Sequence, residues 1–195
     1  PYTTLFRSEH PGSLTALAVP KYVAEAGIEY VEDLDEHKDK FGGVIYSIEP
    51  GTGISEDLNA AVDNDAGGLG DWDLKETSTA IMLAEAKSHF DQKKWIVFFG
   101  WEPHWMNIAM DLSYLKSKTE GTSDIGASES IVYTITSSAL PESHPEVFTF
   151  MQQLRVPTKV QSAWIFEYQH ENRKPPEAAA EWIAANLDGL VAEWT

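Results

Sequence analysis

The order of apolar and amphipathic segments along the chain is the feature that most constrains its fold. Short apolar runs alternate with amphipathic runs over residues 13–136, and only helical patterns follow them. Short apolar runs bounded by turn residues favour buried strands, whereas apolar residues three and four positions apart favour helices. This alternation predicts an α/β lobe with a parallel or mixed sheet, followed by helices that should cover a sheet this chain does not contain.

The predicted elements fall at clear positions. Strands are predicted at residues 13–20, 43–48, 72–77, 94–101 and 129–136, and helices at 55–64, 78–92, 144–154, 159–171 and 175–194. Ser55 is the predicted N-cap of the first of these helices. In the helix at 78–92, Ile81, Ala84, Ala86 and Phe90 are among its apolar positions.

The charge of the chain excludes several classes of partner. The sequence has 195 residues and a formal charge of −17, from 31 acidic and 14 basic residues. Nucleic acids and anionic membrane surfaces both require a basic face, so neither is an expected partner. A well-solvated surface or a halophilic source would each explain the acidity. The absence of cysteine fits either an oxidising or a reducing compartment, and no apolar run reaches the ~20 residues that span a bilayer.

The first eight residues, "PYTTLFRS", contain no initiator methionine and show no signal-peptide pattern. They match, residue for residue, the in-frame translation of a common sequencing-library adaptor. We interpret residues 1–8 as adaptor-derived and exclude them from the fold prediction, as for a tag. The expectation that follows is a fragment whose natural start, with any targeting signal, is missing.

The segment "IEPGTGIS", residues 48–55, joins an apolar strand to a helix through a Gly-x-Gly loop. Such a junction directs backbone N–H groups and the positive end of the helix dipole at one point, which suits an anion. A simple tight turn is the alternative. The loop lacks the further glycines or the Gly-Lys-Ser/Thr of nucleotide sites, so a nucleotide is not expected.

The segment "FFGWEPHWMN", residues 98–107, ends a second apolar strand on a tryptophan. Pro103 opposes continuation of the strand, so the Trp101 ring could be presented at the end of the sheet, where it would attract a cation such as a quaternary ammonium. A rim or core tryptophan is the alternative. A metal site formed by Glu102, His104 and Asp111 is disfavoured by their spacing on a loop with a proline. A capped histidine that braces the loop is the favoured interpretation of His104.

Together, the two segments indicate one ligand. Both follow strands of the same predicted sheet, where ligands of parallel sheets bind. One segment suits a carboxylate and the other suits a quaternary ammonium, so a small zwitterion such as glycine betaine fits both. Carnitine, proline betaine, choline and a sulfonium analogue remain open.

Four segments resemble, in order, the substrate-binding proteins of glycine betaine/choline/carnitine ABC importers. They are "VPKYVAEAGIEYVEDL", "IYSIEPGTGIS", "STAIMLAEAKSHFDQKKWIVFFGWEPHWMNIAMDLSYL" and "ESIVYTITSSALPESHPEVFTFMQQL". The resemblance implies the two-lobed type II periplasmic-binding-protein fold, which closes over its ligand at a hinge. It also implies that the backbone amides of Gly53 and Ile54 bind the betaine carboxylate, and that Trp101 belongs to an aromatic cage. Thr52, Glu102, His104 and Asn107 are candidate supporting residues around that site.

The other lobe of that family carries further cage aromatics, in a "MW" segment and in an "AWLP…H" segment. Neither segment occurs here. The remaining tryptophans, of which Trp182 and Trp194 are expected to pack between helices, lie in other contexts: Trp72, Trp95, Trp105, Trp164, Trp182 and Trp194. In the family order the missing segments precede "VPKYV", which fits a chain that begins late.

The expected organisation is therefore an adaptor-derived stretch at 1–8, a ligand-binding lobe at 9–136 and the C-terminal helices of an incomplete second lobe at 137–195. The apolar side chains of those helices should be exposed or find a substitute partner, which predicts aggregation, dimerisation or domain swapping. The side chains concerned are Phe148, Met151, Leu154, Trp164, Ile165 and Trp182.

The favoured function is ligand capture for an importer, with no catalytic residue, cofactor or metal. The partners would be the importer's membrane subunits, and the location periplasmic or extracytoplasmic. Two alternatives remain: the ligand-binding domain of a sensor or of a fused transporter subunit, or an enzyme that uses the Gly51–Gly53 loop for an anion. An enzyme is disfavoured because the sequence has neither a cysteine nor a serine in a Gly-x-Ser-x-Gly turn.

Overall fold

The structure is a computed structural model that describes residues 3–7, 13–130 and 133–194. Its strands are β1 (Thr3–Arg7), β2 (Ser13–Pro20), β3 (Val44–Ser47), β4 (Asp73–Glu76), β5 (Val97–Glu102), β6 (Leu112–Tyr114), β7 (Ser128–Ser130) and β8 (Tyr133–Ser137). The predicted strand at 129–136 therefore corresponds to parts of β7 and β8, with residues 131–132 outside the described residues.

The α-helices are α1 (Lys21–Ala24), α2 (Lys38–Phe41), α3 (Gly53–Asp63), α4 (Thr79–Asp91), α5 (Met106–Ala109), α6 (Leu140–Ser143), α7 (Pro145–Gln153), α8 (Thr158–His170) and α9 (Pro175–Ala185). Short 3-10 helices occur at Val31–Asp33, Asp35–His37, Ala66–Gly68, Glu120–Thr122 and Leu190–Trp194. Helix α9 begins on two prolines, as predicted, because the first turn of a helix needs no intrahelical N–H donors.

The chain divides into two compact units. The α/β unit comprises Leu14–Glu102 and Ala109–Ser128. The helical unit comprises Pro103–Ile108 and the described residues from Glu129 onward, together with β1. The predicted lobe boundary at residue 136 remains a prediction, although the structure groups β8 with the helical unit.

The sheet of the α/β unit has the strand order β4-β3-β5-β2-β6. Strand β3 is parallel to both β4 and β5, and β2 is antiparallel to β5 and β6. The sheet is thus mixed rather than wholly parallel. The alternation of strands and helices correctly predicted the parallel arrangement of β3, β4 and β5. Strand β2 runs antiparallel to β5.

The core of the α/β unit consists of side chains from the sheet and from the helices that cover it. Leu17, Ile45 and Phe98, on the three central strands, are 0% exposed, as is Leu58 on α3. The apolar strand predicted at 94–101 is therefore buried, as expected for a central strand with neighbours on both sides.

One local prediction about the helices of this unit is wrong, and a second helix buries residues that the sequence did not single out. Ser55 is not the N-cap of α3: the helix begins two residues earlier, and the Thr52 hydroxyl accepts the N–H of Ser55 at 3.4 Å. Of the apolar positions named for α4, Ala86 is buried and Ile81 is 54% exposed, and Met82 and Leu83 are buried as well. Residues 80–84 of the helix are all apolar, so the sequence pattern did not select one face there.

The helical unit has a much thinner core. Trp182 stacks on Trp194 with ring centroids 5.9 Å apart, and Trp164 meets Trp182 edge-on at 5.8 Å. Trp182 and Trp194 therefore pack between helices, as predicted. The six apolar side chains expected either to be exposed or to find a substitute partner are partly buried: Phe148, Met151, Leu154, Trp164, Ile165 and Trp182.

Within the helical unit, β1 pairs with β8 in antiparallel register, with Leu5 opposite Ile135. Strand β1 comes from the stretch interpreted as adaptor-derived, and that interpretation remains a prediction.

Candidate ligand-binding site

Three strands of the α/β unit end at the same edge of the sheet. Ser47 at the end of β3 lies beside Glu76 at the end of β4, and Tyr46 lies beside Phe98 of β5 in parallel register. The loop after β3 and the last residues of β5 therefore start from one edge. This carboxyl edge is where ligands gather in α/β sheets.

The loop after β3 turns sharply into α3. Gly51 has a φ of +84°, a conformation that side chains rarely adopt, so glycine is required there. Thr52 has extended backbone angles and caps the helix, and its hydroxyl donates to the carbonyl of Glu49 at 3.2 Å. A Cβ added to Gly53 would meet no atom within 4 Å, so the space over the helix start is open.

The first turn of α3 offers backbone donors to that open space. Within residues 13–130 and 133–194, neither the N–H of Gly53 nor that of Ile54 donates to an acceptor. The helix has 11 residues, enough for its dipole to favour negative charge at this end. The start of α3 is therefore suited to a carboxylate.

The neighbouring acidic side chains are held by other donors. Ser55 Oγ donates to Oε1 of Glu76, and Asn59 Nδ2 donates to the same oxygen at 3.2 Å. The N–H of Thr79 donates to Oε1 of Glu49 at 2.9 Å, and this bond holds the pKa of that carboxyl below its usual range.

Trp101 lies near the end of β5, opposite Thr15 of β2. Its ring stacks on Phe99, with centroids 5.5 Å apart and planes 29° apart. Phe99 is buried and Trp101 is only partly buried. The Phe99 ring thus supports the Trp101 ring, and the Trp101 ring retains accessible surface for a ligand.

The residues after Trp101 form a braced turn. Burial raises the pKa of the Glu102 carboxyl and lowers the pKa of His104 to about 4. His104 is therefore neutral at pH 7, and its Nδ1 accepts the N–H of Met106 at 3.4 Å. Asn107 Nδ2 donates to the His104 carbonyl at 3.2 Å. The structure thus shows the bracing histidine that the sequence favoured.

The structure brings only some of the sequence-predicted residues together. Thr52, Gly53, Ile54, Trp101 and Glu102 belong to the α/β unit, whereas His104 and Asn107 belong to the helical unit. No group of three or more metal-ligating side chains occurs in the described parts of the chain, which include Glu102, His104 and Asp111. In the same residues, no helix has the length and apolar character needed to cross a bilayer.

Sequence reasoning missed the groups of α8 that contact this turn. The Ser162 hydroxyl accepts the N–H of His104 at 3.2 Å, and the ring of His170 lies 4.6 Å from that of Trp105. Ser162 is 58 positions from His104, and a lone helical serine carries no sequence signal that would link the two residues.

Comparisons with known proteins identify the family of the chain. A family described as the substrate-binding domain of the ABC-type glycine betaine transport system matches residues 4–185. The glycine betaine/carnitine transport binding protein GbuC of Listeria monocytogenes is 28% identical over 151 residues, which are 77% of this chain and 48% of that protein. The chain thus spans about half the length of this curated relative.

Two solved structures share the fold at similar identity. An ABC-transporter choline-binding protein in complex with choline is 28% identical with a TM-score of 0.72, over 98% of this chain and 66% of that one. A lactococcal protein in its closed conformation with glycine betaine is 27% identical with a TM-score of 0.74, over 99% of this chain and 71% of that one. These matches confirm the predicted fold class and the resemblance stated above.

Proposed function

The chain belongs to the family of substrate-binding domains of ABC-type glycine betaine transport systems, and we propose that it binds a small quaternary-ammonium zwitterion for delivery to an importer. Glycine betaine is the first candidate ligand, and choline and carnitine are the alternatives. The relatives named above bind, by their descriptions, glycine betaine, carnitine or choline.

One observation carries this proposal: complementary groups for both charges of the ligand start from the same sheet edge in one unit. The N–H groups of Gly53 and Ile54 suit the carboxylate, and the Trp101 ring suits the trimethylammonium group. A quaternary ammonium donates no N–H hydrogen bonds, so an aromatic face is its natural partner and contributes about 0.5–2 kcal/mol.

The assignment of roles follows from these positions. Gly53 and Ile54 bind the carboxylate, and Thr52 holds the helix start that presents their amides. Trp101 contacts the cation, and Glu102, His104 and Asn107 support the turn that follows it. No proton or bond is transferred in this process, and the family is a family of transport proteins rather than enzymes.

The proposed partners are the membrane subunits of an ABC importer, at an extracytoplasmic location. A ligand-binding domain attached to a sensor or to a transporter subunit would use the same site. Further cage residues, which the sequence resemblance assigns to the other lobe, would raise affinity by surrounding the cation and excluding water.

A matched pair of variants tests the carboxylate half of the site. Gly53 is the first residue of α3, where proline is tolerated, and Thr52 has the extended conformation that precedes proline. Gly53→Pro therefore deletes one amide donor while the helix is retained, and Gly53→Ala keeps the donor and adds a Cβ in open space.

We expect Gly53→Pro to weaken glycine betaine binding about tenfold in calorimetric titration, because a hydrogen bond to a charged group contributes about 1.5–3 kcal/mol. Gly53→Ala should bind nearly as the parent chain does. Choline has no carboxylate, so the two variants should differ far less in their affinity for choline than in their affinity for glycine betaine. Equal betaine affinities for the proline and alanine variants would overturn the assignment.

A further inference from the structure

The loop that leads from β3 into α3 is attached to a second helix of the α/β unit. Glu49, in this loop, binds the first residue of α4 through its carboxylate. The N–H of Thr79 donates to Oε1 of Glu49 and the Thr79 hydroxyl donates to Oε2, each at 2.9 Å. The two residues are 30 positions apart in the sequence. Both oxygens of one carboxylate thus join the loop to the start of α4.

The same residue also holds the cap of α3. The Glu49 carbonyl accepts the Thr52 hydroxyl at 3.2 Å, and the oxygen of that hydroxyl accepts the N–H of Ser55 at 3.4 Å. A hydroxyl has one donor and two acceptor positions, so both bonds can form together. Glu49 therefore connects the start of α4 to the first turn of α3, through its side chain and its backbone.

The amides proposed to bind the carboxylate lie inside this connection. Gly53 and Ile54 are the two residues that the capping bond spans. The loop before them contains Gly51, which has a φ of +84°, and Gly53 is exposed. An exposed loop with glycines has many accessible conformations, and each contact with a neighbouring helix removes some of them. The direction of the two N–H groups therefore depends on what holds the loop.

The body of α3 is fixed on the sheet by a different carboxylate. Oε1 of Glu76, the last residue of β4, accepts both Ser55 Oγ and Asn59 Nδ2. These contacts lie inside the helix, beyond the two amides. The helix is thus attached to the sheet independently of Glu49, and Glu49 fixes the loop that enters the helix.

The carboxylate of Glu49 lies where a helix dipole stabilises it. Helix α4 has 13 residues, and the N-terminal end of a helix carries partial positive charge. The N–H bond from Thr79 lowers the pKa of Glu49, so this carboxyl is ionised at neutral pH. The two helices therefore use their first turns differently: α4 binds a carboxylate of the chain itself, and α3 offers its first amides to a ligand.

We propose that Glu49 is a positioning residue for the amides of Gly53 and Ile54, which it orients by joining their loop to the start of α4. The proposal rests on the proposed role of those amides in binding the carboxylate of the ligand. Glu49 does not need to touch the ligand. A hydrogen bond weakens steeply when its N–H turns away from the acceptor, so a loosened loop binds a carboxylate less well.

Amide resonances of the ligand-free full chain test the positioning from the other side of the contact. Thr79 is the first residue of α4, where proline is tolerated, and Ser78 has the extended conformation that precedes proline. Thr79→Pro therefore deletes both donors to Glu49 and leaves the sequence of the loop unchanged. It should shift the amide resonances of Gly53 and Ile54. Thr79→Ser, which keeps both donors, should not.

A double-variant cycle separates this effect from a general disturbance of α4. In a Glu49→Ala background, Thr79→Pro should no longer shift the resonances of Gly53 and Ile54, because the contact is already absent. Glu49→Gln keeps an oxygen for the Thr79 N–H and an amide group that can bond the hydroxyl, so it should retain the loop conformation. Unchanged Gly53 and Ile54 resonances in Thr79→Pro, or the same shift with and without Glu49, would overturn the proposal.

Calorimetric titration then connects positioning to affinity. Glu49→Ala and Thr79→Pro should each weaken glycine betaine binding about three- to tenfold, which is part of what a hydrogen bond to a charged group contributes. The double variant should lose no more than either single variant. Choline has no carboxylate, so its affinity should fall far less. Glu49→Ala changes an exposed residue and gives the same comparison with Glu49→Gln if Thr79→Pro fails to fold.

The matched control is Glu56→Ala, which removes an exposed acidic charge from the first turn of α3. Removal of a negative charge near a carboxylate site lowers repulsion, so this variant should bind betaine at least as well as the parent chain. An equal loss in Glu56→Ala and Glu49→Ala would overturn positioning by Glu49. If the parent chain does not bind betaine, the proposed function fails, and the ligand-free resonances still decide whether Glu49 positions the loop.

Discussion

The α/β unit and the helical unit use similar residue types but bury them very differently. In the α/β unit, Leu17, Ile45 and Phe98 are completely buried. Among the described residues of the helical unit, the buried apolar side chains are Met106, Ala178 and Trp194, while Ile135 and Leu187 are 64% and 56% exposed. Burial of apolar surface is the main source of stability, so the α/β unit carries its own core and the helical unit depends on few contacts.

The largest expected effect distinguishes the two cores directly. Phe98→Ala should destabilise the chain by about 3–5 kcal/mol, because it leaves a cavity between central strands. Phe150→Ala, at a ring that is 40% exposed, should cost less than about 1 kcal/mol. Urea unfolding followed by circular dichroism measures both. Similar losses would mean that the two units have equally dense cores.

A second effect concerns the hydrogen-bonded carboxylate of Glu32 within the α/β unit. Oε1 of Glu32 accepts the hydroxyl of Thr122 at 2.6 Å and the N–H of Thr119 at 3.1 Å. Burial by itself raises the pKa of Glu32, and these hydrogen bonds outweigh it, so the pKa is lowered overall. We expect Glu32→Ala to cost about 1–2 kcal/mol in urea unfolding.

The contribution of Glu32 to stability depends on pH with a definite sign. A carboxyl with a depressed pKa in the folded state stabilises the fold above its unfolded pKa, and this stability is lost as the pH falls through the folded value. The parent chain should therefore lose more stability on acidification than Glu32→Gln, which does not titrate. Parallel pH profiles for the two proteins would contradict this role.

A third effect, of about the same size, concerns the turn formed by Pro103–Ile108 in the helical unit. Burial lowers the pKa of His104 from 6.5 to about 4, so the unfolded chain binds this proton first. The stability due to neutral His104 is present above pH 6.5 and falls between pH 6.5 and about 4. After allowance for solvent screening, the loss should be about 1–2 kcal/mol.

The matched control for this effect is His104→Asn, which offers an oxygen acceptor near the position of Nδ1 and does not titrate. Hydrogen exchange of the Met106 amide should accelerate on acidification, beyond the intrinsic pH effect, in the parent chain but not in the variant. Equal protection of the Met106 amide in both proteins between pH 6.5 and about 4 would contradict the stabilising role of neutral His104.

The smallest effect on stability is expected at the exposed apolar residues of the helical unit. Leu187→Lys should change the free energy of unfolding by less than about 0.5 kcal/mol. The same substitution should reduce self-association in light scattering, since exposed apolar patches promote it. A clean monomer for the parent chain at micromolar concentration would contradict the predicted association.

The sequence predicted the strand–helix order well because that order depends on local patterns. Strand β2 occurs at the predicted residues 13–20, and the apolar run after Lys94 forms the buried β5. Helix α4 begins one residue after the predicted start, since Ser78 caps it with a hydroxyl that accepts the N–H of Ile81. Helix caps and apolar runs depend on residues that are close together in the sequence, so tertiary contacts change their positions little.

The errors arose where several local choices were equally good. Thr52 and Ser55 are both suitable helix caps, and the conformation of Gly51 decides between them. The direction of β2 relative to β5 has no local signature at all. Ser162 and His170 were missed for the same reason, because their contacts with the Pro103–Ile108 turn exist only after α8 has folded.

The most direct test of the account compares two ligands of nearly the same shape. Glycine betaine and 3,3-dimethylbutanoate share the carboxylate and the three methyl groups, and differ in whether nitrogen or carbon carries them. Calorimetric titration of the parent chain should detect glycine betaine and bind the uncharged-head analogue much more weakly. Trp101→Ala should reduce betaine affinity several-fold, in line with a cation–ring attraction of about 0.5–2 kcal/mol, and remove most of the preference. Equal binding of the two ligands, or betaine binding that Trp101→Ala leaves unchanged, would contradict the account.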